Sequence, residues 1–199
     1  MPQELQAALP LATLSGQATL KFWGLALYQA SLWVTPGFVA TAYDQSPFAL
    51  ALDYLRDFKG QDIARRSISE MRHQMPLDAA QQARWEGQLR ALFPDVTSGD
   101  RITGVHLPGT GAQFWHNGRL LGDIRDSSFA KLFFGIWLAP QTSEPQLRSA
   151  LLARSGPVAL GTATPGAPPL RHPAGVWPMV CAMACWVCRW RFVRCHCMC

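Results

Sequence analysis

Cysteine is missing from the first 180 residues of this 199-residue chain; all six lie between positions 181 and 199. The body therefore owes nothing to disulfides, and its redox compartment cannot be read from cysteine usage. Acid is missing from the other end. No Asp or Glu follows Glu144, and residues 145–199 carry six Arg. The net charge of +5 thus belongs to the tail, because residues 1–144 set 13 acids against 12 Lys and Arg. A nucleic-acid surface needs cations spread over a folded face, so no nucleic-acid partner is assigned. Long apolar runs are also absent. The best stretch, 174–188, has 15 residues and is broken by Pro178, too short for a comfortable transmembrane helix. The first 16 residues lack a basic leader region and a sustained apolar one. Localisation stays open: periplasmic if a signal peptide has been removed or missed, cytoplasmic otherwise. No G-x-S-x-G, phosphate loop or dinucleotide fingerprint occurs.

What is present reads as one domain followed by a different kind of text. With 49% apolar residues, the chain can bury one core. Alternation over 14–26 and a further extended run over 25–33 predict a pair of strands, with Phe22, Trp23 and Gly24 inside the first run. Pro36-Gly37 is a turn, and 48–58 predicts a third strand with one wet face. Helices are expected over 61–75 and from an Asp78 cap to Leu92. Strands follow over 101–107, 113–116 and 119–124, the last two joined by Asn117-Gly118, where both positions tolerate positive φ. An apolar helix around Phe129 to Leu138, capped near Asp126 to Ser128, and a second helix opening near Thr142 to Glu144 complete the body. Strand runs segregated from helix runs argue for an α+β fold with helices on one face of an antiparallel sheet.

Residues 153–199 change composition. A Pro/Gly/Ala-rich linker over 161–175 leads to a Cys/Trp/Arg-rich end, expected to be a disordered or non-native extension. Its CxxxCxxC (181–188) and Cys195-His196-Cys197-Met198-Cys199 offer soft ligands. They lack the paired spacing and surrounding shell of a built site, so no metal and no cofactor is assigned. In the body, Asp95 and Asp100 read as turn residues of PDVTSGD. His73, His106 and His116 are scattered singly. The many large aromatics read either as core or as the lining of an apolar pocket between sheet and helices. Tyr28, Tyr54 and Arg56 are the polar groups placed nearest such a pocket. An Arg beside a Tyr hydroxyl suits a carboxylate. Strand alternation puts Arg56 on the side of Leu50, Leu52 and Tyr54, but near the strand end it can reach water, and the surface reading is the preferred one.

Four segments, KFWGLALYQASLW (21–33), FPDVTSGDRI (93–102), FWHNG (114–118) and FFGIWLAPQT (133–142), together with LALDYLRDF (50–58), resemble the bacterial chalcone-isomerase-like domain over about residues 10–152. The resemblance implies an open-faced β-sandwich: a curved antiparallel sheet backed by a helical layer. It also implies one of two uses of the sheet–helix cleft. Catalytic relatives close a chalcone to a flavanone with a guanidinium, a threonine, a tyrosine and an asparagine. Others bind fatty acids there with an Arg and a Tyr. Matching the family's strands puts Trp23 at the threonine, Ile63 at the tyrosine and Glu70 at the asparagine, with no Arg over 11–19. Trp and Ile cannot supply the placed donors that such a charge shift needs. The expectation is therefore a non-catalytic domain binding a small apolar or amphiphilic ligand such as a fatty acid. Tyr28, Tyr54, Arg56 and Trp23 are its ligand-binding residues. An isomerase (intramolecular lyase) acting on a chalcone-like phenolic and a structural, protein-interaction scaffold are the alternatives.

Overall fold

The computed structural model describes residues 2–155. The extension expected beyond Leu152 lies outside that range, apart from residues 153–155.

Six strands form one antiparallel sheet in sequence order: β1 (Thr13–Phe22), β2 (Leu25–Val34), β3 (Phe48–Tyr54), β4 (Arg101–Leu107), β5 (Gly111–His116) and β6 (Arg119–Ile124). Five helices accompany them: α1 (Gln3–Ala8), α2 (Gly60–Gln74), α3 (Ala79–Leu92), α4 (Ser127–Leu138) and α5 (Pro145–Leu151). A 3-10 segment, Ala40–Gln45, links β2 to β3. Two hairpins turn on paired positive φ values, at Asn117-Gly118 (49° and 80°) and at Trp23-Gly24 (51° and 79°). This is the backbone of a two-residue loop matched to strand twist. The second hairpin corrects the reading of Trp23 and Gly24 as strand residues. A bulky side chain is uncommon at such a φ, which hides the turn from residue preference. β3 also stops earlier than expected, at Tyr54, and Phe58 returns only as an isolated bridge to Val96.

One sheet face builds the main core. Leu32, Leu50, Gly104, Phe114 and Gly122 stand in register across five strands. Against this row lies α4, whose Phe129, Leu132, Phe133, Phe134, Trp137 and Leu138 are all buried. A helix apolar on most sides must be covered on most sides. Gly104 makes the close approach possible, because a Cβ there would sit 3.0 Å from the Phe134 ring. Around α4, Gln74 of α2 donates to the Leu132 carbonyl (2.8 Å) and Tyr43 donates to the Lys131 carbonyl (2.9 Å). α5 covers the β1 edge: Ser15 donates to the Leu151 carbonyl (2.9 Å), and a Cβ at Gly16 would collide with the Ala150 carbonyl. Covering an exposed strand edge in this way removes a template for unwanted pairing.

The opposite face is only half covered. α1 packs Leu5 and Leu9 on Ala49 and Val105, and buried Glu4 accepts from the Thr103 hydroxyl (2.7 Å). The folded body thus includes residues ahead of position 10. This is an α+β, open-faced antiparallel sheet with its helical layer on one side.

Asp126 ties α3 to α4. It caps α4 by accepting from the Phe129 N–H (3.0 Å), accepts the indole N–H of buried Trp85 on α3 (2.9 Å), and pairs with Arg84. Losing a cap costs about 1 kcal/mol, and orphaning a buried N–H costs roughly 1–3 kcal/mol. Asp126→Ala should therefore lower unfolding free energy by about 2–4 kcal/mol in urea titration. A loss within the noise of a surface mutation would mean that the Trp85 N–H finds another partner.

Candidate functional site

The cleft sits where α2, α4 and the α4–α5 connection stand over the ends of β2, β3 and β4. Strand pairing sets Tyr28 directly opposite Tyr54, and their rings meet edge to face at 6.1 Å. Beyond them Leu52 and Ile102 form the floor, Ile63 and Ser67 of α2 one wall, and Phe133, Ile136 and Trp137 of α4 another. Phe58, Phe93 and Leu147 complete a mostly apolar cavity of about 280 Å³. Small-molecule sites run from roughly 300 Å³ upward, so this is a small one.

Its polar groups are few and unequally satisfied. The Trp137 indole donates to the Tyr28 hydroxyl (3.0 Å). Tyr54 is 4% exposed as a residue; its hydroxyl makes no hydrogen bond among the described residues and keeps some accessible surface. At the rim, Glu70 is 7% exposed, accepts from Ser143 (2.9 Å) and pairs with Arg66. Arg66 itself is 74% exposed and so can swing. Asp62 and Glu144 also line the rim, which leaves three carboxylates facing one guanidinium. Asp62 is already paired with Arg65, one turn along α2.

Burial pushes the Tyr28 phenol well above its ordinary range, and Glu144 and Glu70 push it further. Burial does the same to Tyr54, with Tyr28 adding to it. Both phenols are hydrogen-bond donors at any physiological pH, not phenolates.

The residues expected at the site divide in two. Tyr28 and Tyr54 face each other in the cleft. Trp23 and Arg56 do not line it: Trp23 is at the tip of the β1–β2 hairpin, 89% exposed, and Arg56 lies on the surface past the end of β3. Strand alternation carried Arg56 toward the tyrosine side on paper. β3 ends at Tyr54, however, so alternation no longer applies two residues later. Of the positions matched to catalytic relatives, Ile63 and Glu70 line the cleft. Arg66, Ser143 and Trp137 join the cleft without having been singled out. The spacing of Arg66 and Glu70, four apart on a helix, was the available signal for that pair.

Other candidate groups are structural. Asp95 accepts from the Gly60 N–H (2.9 Å) at the start of α2 and from Lys59 (2.8 Å). Asp100 accepts from the Thr97 N–H (2.7 Å) and Asn117 (2.8 Å), contacts that hold its carboxyl down at about 2. His106 stacks on Phe48 at 4.8 Å inside the core, where burial lowers its pKa. Among the described residues, no three His, Cys, Asp or Glu side chains group as a metal site. No described helix is long and apolar enough to cross a membrane.

All three tyrosines of the chain are held un-ionised, Tyr43 up to about 12 by burial and by nearby Asp44. Their folded-state values exceed the unfolded value of 10, so the stability they contribute is complete below pH 10 and is lost as pH rises past it. An alkaline absorbance titration should show no tyrosinate near pH 10, and then a cooperative rise that coincides with unfolding. A tyrosine titrating at its ordinary value in the folded protein would show the surroundings of that phenol to be wet, and Tyr43→Phe tells whether it belongs to the cleft.

Comparison with known proteins agrees with this architecture. The model of the family described as chalcone isomerase-like matches residues 1–153. An uncharacterized protein of Haemophilus influenzae is 29% identical over 112 residues, 56% of this chain; the chain spans about half, 54%, of that relative's length. Among solved structures, a fatty-acid binding protein of Arabidopsis thaliana superposes with a TM-score of 0.56 at 8% identity, covering 71% of this chain and 87% of that one. At that identity the likeness speaks for the fold alone. With the sheet, its helical layer and the family match in agreement, the chain belongs to the chalcone isomerase-like family.

Proposed function

We propose that this domain binds a small amphiphile, such as a fatty acid, without transforming it, and that the apolar part of the ligand fills the cleft over Leu52 and Ile102. The observation that carries the reading is the mostly apolar cavity itself, with Tyr28 and Tyr54 paired in its lining and the Tyr54 hydroxyl in no hydrogen bond among the described residues. A ligand head that accepts a hydrogen bond from that hydroxyl would satisfy it, and Tyr28 lies beside it. Structural likeness to a fatty-acid binding protein supports the same reading at the level of the fold.

The rim constrains the head group. A carboxylate would meet Glu70, Glu144 and Asp62, and Arg66 could neutralise it only by leaving Glu70. An alcohol or ester head needs no such exchange. The cavity of about 280 Å³ holds only part of a long chain, so a long tail would extend through the mouth.

Native mass spectrometry of the full chain, purified without detergent and followed by solvent extraction, tests the reading. A stoichiometric acyl or aromatic compound is expected. Tyr54→Phe should weaken its retention about five- to tenfold, the worth of one hydrogen bond near 1 kcal/mol. Leu147→Trp, which fills the cavity, should abolish it. A clean apo mass, with no saturable uptake of fatty acids or fatty alcohols of matched length, would make the aromatics core and nothing more.

A further inference from the structure

The β1–β2 hairpin runs past the rest of the sheet. Pairing between β2 and β3 ends at Tyr28 opposite Tyr54, and the last tie beyond it is the Leu55 N–H to the Leu27 carbonyl (2.9 Å). β1 and β2 continue as a two-stranded ribbon through Lys21 opposite Ala26 and Phe22 opposite Leu25. Its tip is apolar and uncovered. Phe22 is 61% exposed and Trp23 is 89% exposed, with Leu25 and neighbouring Leu55 close to half exposed. Among the described residues, half of the eight exposed large hydrophobics gather at this one end.

The fold itself has no use for the Trp23 ring. It holds a φ of 51° that Asn or Gly would adopt more readily, and it buries almost nothing. Charge at the tip is also one-sided. Between Thr13 and Val34 the only charged side chain is Lys21, next to Phe22, and exposed Arg56 follows Leu55. Asp53, near the base of the ribbon, is paired with Arg101, and Asp57 accepts from the Ser98 N–H.

We propose that this tip seats in the interface of an anionic lipid bilayer, with Phe22, Trp23 and Leu25 entering the head-group region and Lys21 meeting lipid phosphate. Tryptophan favours the membrane–water boundary because its ring is apolar and its N–H stays hydrated. A lysine stem can lie along the apolar zone while its ammonium reaches the phosphates. A protein partner fits less well: a stable interface takes about 800 Å² from each side, and a two-residue loop with four apolar side chains offers a wedge, not a plateau. The seating stands on the hairpin alone. Its use rests on the cleft reading above. Tyr28, three residues past Leu25 on the same strand, opens the cleft, so a seated tip would place that end of the cavity beside the lipid.

Vesicle co-sedimentation of the full chain tests the seating, with phosphatidylcholine alone and with phosphatidylcholine containing phosphatidylglycerol. Trp23→Asn removes the ring and installs the favoured Asn-Gly turn, so loss of binding cannot be ascribed to a broken hairpin. Combined with Phe22→Ser, it should cut binding to both vesicle types about tenfold or more, the loss of buried aromatic surface. Lys21→Glu should weaken binding to the anionic vesicles and leave binding to the neutral ones unchanged. Cleft loading by native mass spectrometry should survive all three changes, which separates failure of the seating from failure of the cleft. Three results would overturn the seating. The native chain sediments with neither vesicle; or the tip variants sediment as the native chain does, so that other parts such as the Arg-rich end hold the lipid. Or the native chain is a lipid-free dimer that the tip changes convert to monomer.

Discussion

Everything in this fold depends on how closely α4 can approach the sheet. The helix is apolar on nearly every side and stable only when nearly every side is covered. Gly104 leaves the room into which Phe134 fits, and Phe134 then meets Phe48 edge to face at 4.9 Å. Phe133 extends the cluster, touching Phe114 at 5.2 Å and Phe129 at 5.4 Å. Such pairs add roughly 0.5–1.5 kcal/mol each beyond the area they bury. The other helices are arranged around that contact. Asp126 binds α3 to the start of α4, Gln74 binds α2 to its middle, and Arg148 donates to the Leu138 carbonyl at its end (2.7 Å).

The cleft is the place where that covering is incomplete. α2, α4 and α5 meet over the ends of β2 and β3 without filling the space, and the residues left to line it are mostly those of the core itself. Desolvation there keeps both tyrosines neutral, and the Trp137 indole donates to one of them, Tyr28. Burial strengthens each remaining polar contact and penalises each missing one. The cavity is mostly apolar, with Asp62, Glu70, Glu144 and Arg66 at its rim.

The two edges of the design are handled differently. α5 closes the β1 edge near its start, where Gly16 lets the Ala150 and Leu151 carbonyls come close. Toward the hairpin tip no described residue covers the ribbon, and Phe22, Trp23 and Leu25 are exposed. The open sheet face shows the same economy: α1 covers Ala49 and Val105, while Gln17, Ser31, Asp53 and Arg101 remain at a polar surface.

Periodicity and punctuation carried most of the fold into the sequence. Alternation marked the strands, Asp78 and the Asp126 region marked helix starts, and Asn117-Gly118 marked its hairpin, because each of these is a local backbone preference. α1 was not legible, since six residues of mixed polarity become a helix only by docking Leu5 and Leu9 on the far face. Trp23-Gly24 was not legible as a turn, since Trp is an unfavoured residue there. The site was half legible. Tyr28 and Tyr54 could be named from strand alternation, because both lie within regular strands that one register brings together. Arg56 lies past the end of such a strand, where alternation loses its meaning. Glu70 was reached only through the family match; Arg66 and Ser143 belong to a solvated-looking helix face and a loop, and only packing against α4 and α5 turned them toward a cavity. The amino-acid pattern by itself determined the elements and the side each strand presents, through short-range backbone and hydrophobic preferences. Tertiary structure alone decided which space between them stayed empty and which hydroxyl was left to face it, because a cavity is a property of how distant surfaces fail to meet.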